Sequence, residues 1–418
     1  MTQPYLLQNA RLLDPRLDAL GPSVSILVDD GKISKVSETP LERGSATAID
    51  LHGLTVMPGL IDAHVHIYMN EANIAALADV APTYMAAKSS FVMKQMLHRG
   101  FTTVRDVAGG DYGMRDAVDA GFIEAPRLFI GGRAISQTGG HGDFRKRTDA
   151  GLECGCCTGL SLFSRLADGV PEIIRATREE LRLGADHIKL MLSGGVASPN
   201  DPLESLQFRD DEIAAAVEEA TRWGSYVCAH AYSDEAVRRA TVLGVRTVEH
   251  GNFVQDETAA MMAARGTFIV PTLIVYEVNH RLGAASGKTP KSLEKNALVR
   301  EAGLRSLDIC RRAGVEIGFG TDLSMHTQHF QAEALLLHAQ VMSNADVIRS
   351  ATTVNARIVK QEGKLGEIVP GAHADLLVLD GDPYTDLRLF RDHDEKLLAV
   401  MKGGVFHKNR LPHSSAAR

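Results

Sequence analysis

Val56-Met57-Pro58-Gly59-Leu60-Ile61-Asp62-Ala63-His64-Val65-His66 is an apolar run broken by Pro-Gly and closed by two histidines. From Gly59 to Ile67 it has the length of a strand, and on a strand residues i and i+2 face the same way, about 6–7 Å apart. His64 and His66 therefore point to one side, as two nitrogen ligands of one metal would require. Two histidines near a strand end also occur without a metal, so the reading depends on the rest of the chain.

Seven further apolar runs of strand length follow: Thr102 to Val107, Arg127 to Ile135, His187 to Leu192, Tyr226 to His230, Arg246 to His250, Thr267 to Leu273 and Glu316 to Thr321. Segments with apolar residues at helical spacing lie among them, including Asp210 to Trp223, Ser233 to Leu243, Thr258 to Arg265 and Ser292 to Ala313. This alternation predicts an α/β fold, a TIM-like (β/α)8 barrel over residues 58–358. A doubly wound sheet is the alternative, but it would carry a Gly-rich phosphate loop after its first strand. The longest irregular stretch, Ser136 to Val170, is predicted to lie over the barrel mouth.

Both chain ends have a different texture. Leu6 to Leu13, Val24 to Val28, Lys32 to Val36 and Thr47 to Leu51 read as short strands, with Asp29-Asp30-Gly31-Lys32 as a hairpin signal. Ala374 to Asp380, Leu397 to Met401 and Val405 to Lys408 repeat the pattern. Residues 1–57 plus 359–418 are thus predicted to build one small discontinuous β-sandwich domain.

Composition agrees with two modules, although 418 residues suggest about three domains at the usual size. Hydrophobic residues make up 44% and charged residues 23%, which excludes a disordered chain. Aromatics are only 5%, and an aliphatic core suits helices on a parallel sheet. With 45 Lys and Arg against 52 Asp and Glu, the net charge of −7 excludes a basic field for nucleic acid or anionic lipid. The five cysteines, at 154, 156, 157, 228 and 310, are odd in number and mostly clustered, which argues against a disulfide framework and for a reducing compartment. Neither a basic-then-apolar leader nor a run of about 18 apolar residues is present, so a cytoplasmic protein without a membrane span is expected.

Lys189 lies in the fourth run, His230 ends the fifth, His250 ends the sixth and Asp322 follows the eighth. Barrel active sites gather at the carboxyl ends of strands, so these residues would converge with His64 and His66. Neutral imidazoles and a carboxylate suit zinc and its borderline neighbours. Lysine is a poor ligand while protonated, but burial beside cations depresses its pKa. The neutral amine can then add carbon dioxide, and the resulting carbamate can bridge two metals. A salt bridge or a contact with a substrate anion is the simpler role for Lys189.

These residues resemble the amidohydrolase superfamily of metal-dependent hydrolases. The stretch 56–66 is typical of it, and so are Gly366-Glu367-Ile368-Val369-Pro370-Gly371-Ala372-His373-Ala374-Asp375 and Ala351-Thr352-Thr353-Val354-Asn355-Ala356. A strand-four lysine marks the binuclear branch with a carboxylated lysine. Gly184-Ala185-Asp186-His187-Ile188-Lys189, Gln137-Thr138-Gly139-Gly140-His141-Gly142-Asp143 and Ala229-His230-Ala231-Tyr232 look most like prolidase-like members. Such members free a C-terminal amino acid from dipeptides or acylated amino acids, and some hydrolyse ochratoxin A.

The resemblance implies that His64, His66 and Asp322 hold one divalent metal, His230 and His250 a second, and carboxylated Lys189 bridges them, with zinc expected. It also implies that a hydroxide between the metals attacks the carbonyl of a small-molecule amide while Asp322 shuttles the proton. His141 would steady the oxyanion and Tyr232 would bind substrate near its carboxylate. A homo-oligomer is expected. Ser193-Gly194-Gly195-Val196 is either a backbone surface for substrate or a plain turn. The cation for the substrate carboxylate is open among Arg133, Arg145 and Arg147, and His326 and His329 either line the mouth or lie on the surface. Cys154-x-Cys156-Cys157 reads as a lid segment with incidental thiols. Hydrolysis of cyclic amides, as by imidazolonepropionase-like relatives, and a non-catalytic scaffold are the competing functions.

Overall fold

The computed structural model describes residues 3–71, 74–145, 163–198 and 201–411; the segment 154–157 and Arg147 lie outside them. In chain order the strands are β1 (Tyr5–Leu12), β2 (Ser23–Asp29), β3 (Lys32–Ser37), β4 (Thr47–Asp50), β5 (Thr55–Pro58), β6 (Leu60–Val65), β7 (Phe101–Asp106), β8 (Arg127–Ile130) and β9 (Ala134–Ser136). They continue with β10 (Ser164–Leu166), β11 (Ile188–Met191), β12 (Val227–Ala231), β13 (Thr247–His250), β14 (Phe268–Val270), β15 (Leu376–Leu379), β16 (Leu397–Lys402) and β17 (Val405–Asn409).

Both ends of the chain enter one sheet in the order β17-β16-β15-β5-β1-β2-β3, with β4 beside β1. Its two-residue period serves two cores. Val56, Leu376 and Val378 meet Leu7, Ile26 and Met401 in a core of the sheet's own. Their neighbours Met57, Leu377 and Leu379 join the main core instead. Hydrogen bonding runs unbroken through all eight strands, so residues from both chain ends share one sheet. The turns after β2 and β16 meet, and a Cβ on Gly31 would stand 2.9 Å from the Gly403 carbonyl oxygen.

The middle of the chain forms two parallel sheets, β6-β7-β8 and β10-β9-β11-β12-β13-β14. Every residue of β6, β7, β11, β12, β13 and β14 is buried, as parallel strands covered on both faces require. The helices Asp210–Arg222, Asp234–Val242, Asp256–Arg265 and Pro290–Ala313 occupy the predicted helical segments. Asp210, Asp211 and Glu212 form the first turn of their helix, where negative charge suits the dipole. No helix among the described residues is long and apolar enough to cross a membrane.

Several predicted segments are corrected. Arg127 to Ile135 breaks at Gly131-Gly132-Arg133 into two strands, of which β8 stays with β7 and β9 pairs with β11. The run from Thr267 ends as a strand at Val270, because Pro271 has no amide to donate and Leu273 opens the helix Leu273–Leu282. The stretch from Ser136 to Val170 includes β10, paired in parallel with β9. Glu316 to Thr321 is not a regular strand. It touches β14 through Ile269 N donating to Glu316 O (3.0 Å) and Gly318 N to Ile269 O (2.8 Å). On its other side Ala63 N donates to Phe319 O (2.9 Å) and Asp322 N to His64 O (2.8 Å), which sets Asp322 beside the end of β6.

Candidate metal centre

His64 and His66 leave β6 on one side, and their Nε2 atoms lie 3.5 and 3.2 Å from Oδ1 of Asp322. Each ring is anchored by its other nitrogen, His64 Nδ1 at 2.8 Å from Glu249 Oε2 and His66 Nδ1 at 2.9 Å from the Ala108 carbonyl. His250, the last residue of β13, repeats this, with Nδ1 2.7 Å from Thr272 Oγ1 and 3.0 Å from the Tyr276 hydroxyl. His230 on β12 is turned the other way, since its Nε2 lies 3.1 Å from the Gly194 carbonyl and Nδ1 remains as its donor. Donor atoms of His64, His250 and Asp322 all lie within 4.8 Å of one another. His250 and Asp322 hold φ of 76° and 55°, in the left-handed region that non-glycine residues occupy at a cost and that recurs at functional sites.

Lys189 on β11 is 1% exposed and makes no ion pair among the described residues, which removes the salt bridge as its role there. His141 stacks on His230 with ring centroids 4.1 Å apart. Gly195 permits this approach, because a Cβ there would stand 1.9 Å from His141 Cε1.

Burial drives the imidazoles of His64 and His230 well below their ordinary value, and that of His250 to about 3 against the opposing charge of Asp322. These rings are neutral donors. Burial alone would raise the Asp322 carboxyl, but His64, His66 and His250 outweigh it and hold the group far below the carboxylate range. Burial also lowers the Lys189 amine, opposed by Cys228, Glu249 and Asp322. Neutral imidazoles with anchored second nitrogens, an ionised carboxylate and a depressed amine form a donor set that fits divalent metal ions.

Sequence reasoning missed the groups that hold this cluster. Glu249 Oε1 accepts from Arg105 Nη2 (2.8 Å) and Thr247 Oγ1 (2.6 Å), and Arg105 and Glu249 are both fully buried. Charged residues inside otherwise apolar runs were the available signal for this pair. Ser198 Oγ lies 2.6 Å and Asp201 Oδ2 3.6 Å from His141 Nδ1. Nothing in the local pattern marked Thr272, Tyr276, Ser198 or Asp201.

The cavity at the cluster is also lined by Met69, Phe163, Val196, Ala197, Asn279 and Lys288. Tyr232 lines it too, with its hydroxyl 2.8 Å from that of Tyr276. Ser193 and Gly194 stand behind the lining, where Ser193 Oγ accepts from Tyr232 N (2.9 Å) and Gly194 O faces His230. Arg133 is tied to Glu180 (2.9 Å) beside a separate cleft, and Arg145 to Asp143 (2.6 Å). Among the described residues, Lys288 and Lys189 are the lysines of the lining, and no arginine belongs to it. His326 Nδ1 lies 3.1 Å from Oγ of Ser324, a lining residue, while His329 packs on Phe330 at 4.1 Å.

Residues 55–406 match the amidohydrolase family. A solved amidohydrolase is similar at 46% identity, covering 98% of this chain and 100% of its own, with a TM-score of 0.95. A prolidase solved with N-methylphosphonate-L-proline is 42% identical, covering 97% of this chain and 100% of its own, also with a TM-score of 0.95. Ochratoxinase from Aspergillus niger is 28% identical over 365 residues, 84% of this chain and 75% of its own.

Proposed function

We propose, on the premise that this chain belongs to the amidohydrolase family, that it releases a C-terminal amino acid from dipeptides or N-acyl amino acids, ochratoxin A among them. One observation carries this reading. His64, His66, His230, His250 and Asp322 surround the same cavity as Lys189, with His141 stacked over the cluster. The prolidase and ochratoxinase relatives support amide cleavage beside a C-terminal carboxylate. Two parallel sheets joined through β8–β9, and bridged by the segment after residue 316, support a (β/α)8 barrel around the site.

In this reading His64, His66 and Asp322 would hold one divalent ion and His230 and His250 another, Lys189 as a carbamate would add an anionic donor, and the donor chemistry favours zinc. When bound, such ions supply an activated water and polarise the scissile carbonyl. Asp322, kept ionised by its histidines, accepts a proton on its carboxylate and passes it to the leaving nitrogen. His141, fixed through Nδ1, presents Nε2 to the oxygen that gains charge. Lys288 takes the substrate carboxylate, while Met69, Phe163 and Val196 offer an apolar wall to its side chain.

The test is a mass-spectrometric screen of protein loaded with zinc and bicarbonate against dipeptides, N-acyl amino acids, ochratoxin A and cyclic imides. Release of the free C-terminal amino acid is the expected result. Turnover confined to the cyclic set, or none with no bound metal, would overturn the reading in favour of a cyclic amidase or a scaffold.

A further inference from the structure

The helix Pro290–Ala313 reaches the loop after β11 through one buried side chain. Lys295 is 8% exposed, and its Nζ donates to the carbonyls of Gly195 (2.8 Å), Ser198 (3.0 Å) and Asp201 (2.6 Å). An ammonium has three hydrogens and here each has a carbonyl. The loop is also tied to itself, since Gly195 N donates to Asp201 Oδ2 at 2.9 Å. The three residues that Lys295 binds are the ones that meet His141. Gly195 packs on the face of its ring, while Ser198 and Asp201 hold its Nδ1 edge. The adjacent Asn296 donates to the carbonyl of Tyr276 (2.9 Å), whose hydroxyl meets His250.

We propose that Lys295 is a positioning residue for the reaction: it clamps the loop after β11 so that Gly195, Ser198 and Asp201 set the position and plane of the His141 ring. The inference rests on the proposed role of His141 at the oxyanion. An ammonium suits the task because it neutralises three converging carbonyl dipoles at one point, which no neutral side chain can do. A misplacement of about 1 Å at a group that stabilises developing charge costs on the order of a hundredfold in rate. Removing the clamp therefore falls on kcat, whereas ground-state binding by the cavity walls is little changed.

A double-mutant cycle with His141 tests this. Lys295→Met should lower kcat about 10- to 100-fold with KM within about threefold, and Lys295→Arg should recover part of the loss. In a His141→Ala background the same substitution should remove less than about a further twofold, because the group it positions is gone. Hydrogen exchange over residues 193–198 should rise in Lys295→Met, whatever the substrate. Equal losses in both backgrounds, or wild-type kcat with unchanged exchange, would overturn the proposal. If Lys295→Met gives no folded protein, Lys295→Arg is carried through the same cycle, and equal losses in both backgrounds overturn the proposal there too. A wild-type protein that cleaves nothing in the screen refutes the functional reading instead, and the exchange measurement still decides whether Lys295 holds the loop.

Discussion

Oε2 of Glu249 lies 2.8 Å from Nδ1 of His64, with the two side chains 0% and 1% exposed. Burial would raise the Glu249 carboxyl, but the Arg105 guanidinium, with the Thr247 hydroxyl, helps to hold it below its ordinary value. A buried anion thereby fixes which nitrogen of His64 carries the proton and aims Nε2 at Asp322. Glu249→Gln is expected to weaken metal binding about 10- to 100-fold, measured by competition with a chelator. Glu249→Leu also strands the guanidinium of Arg105, at a cost of about 3–5 kcal/mol in urea unfolding. Unchanged metal affinity in Glu249→Gln would contradict the orienting role.

Asp322→Asn should reduce kcat by about 10²–10⁴-fold, the usual worth of a positioned acid–base group, while metal stoichiometry stays near that of the wild type. Near-normal turnover would remove Asp322 from the proton transfer.

Lys189 offers a spectroscopic check. Protein loaded with metal in ¹³C-bicarbonate should show a carbamate carbon resonance that is absent from Lys189→Ala. Activity of bicarbonate-depleted protein should return when bicarbonate is restored. A metal-loaded wild type without that resonance rules out the carbamate.

Lys288→Met is expected to raise KM about 10- to 150-fold for N-acyl amino acids, in line with the roughly 1.5–3 kcal/mol of a hydrogen bond to a charged group. The matching N-acyl amines, which lack the carboxylate, should be unaffected. An equal change in both series would place the lysine's effect elsewhere.

Acid should destabilise the metal-stripped protein. Burial holds His250 at about 3 and His338 at about 4, and keeps His64, His187 and His230 well below their ordinary value. Unfolded imidazoles titrate near 6.5, so below that pH the unfolded chain binds more protons and stability falls. Burial pushes Asp62 and Asp106 up to about 6, and these act oppositely, adding stability from about pH 6 down to about 4. The five imidazoles outnumber the two carboxyls. Thermal melts should therefore show Tm dropping between pH 7 and 5, and a flat or rising Tm would refute the balance.

The candidate ligand residues His64, His66, His230, His250 and Asp322 could be picked out because each sits at or beside the end of an apolar run. His64-Val65-His66 needs only the two-residue period of a strand to put both rings on one side. His230, His250 and Asp322 needed one further rule, that barrel sites gather at strand ends. Strand limits were less legible where that periodicity failed. Pro271 stopped one strand early, and Gly131-Gly132-Arg133 split another. The segment before Asp322 bonds to both neighbours without becoming a regular strand. Arg133 and Arg145 were candidates for the carboxylate because charge alone does not reveal that Glu180 and Asp143 already engage them.

Periodicity and residue type therefore specified the parallel middle, the β-rich ends and the side chains gathered at the candidate metal centre, since each depends on local backbone geometry or on the chemistry of one residue. The supporting shell depends on approaches between residues far apart in the chain. Glu249 meets His64, Thr272 and Tyr276 meet His250, and Lys295 meets the loop that carries Ser198. Such pairings follow from the packing of helices and loops around the sheets, where a hydrogen-bond partner is selected by position in space and leaves no period in the sequence.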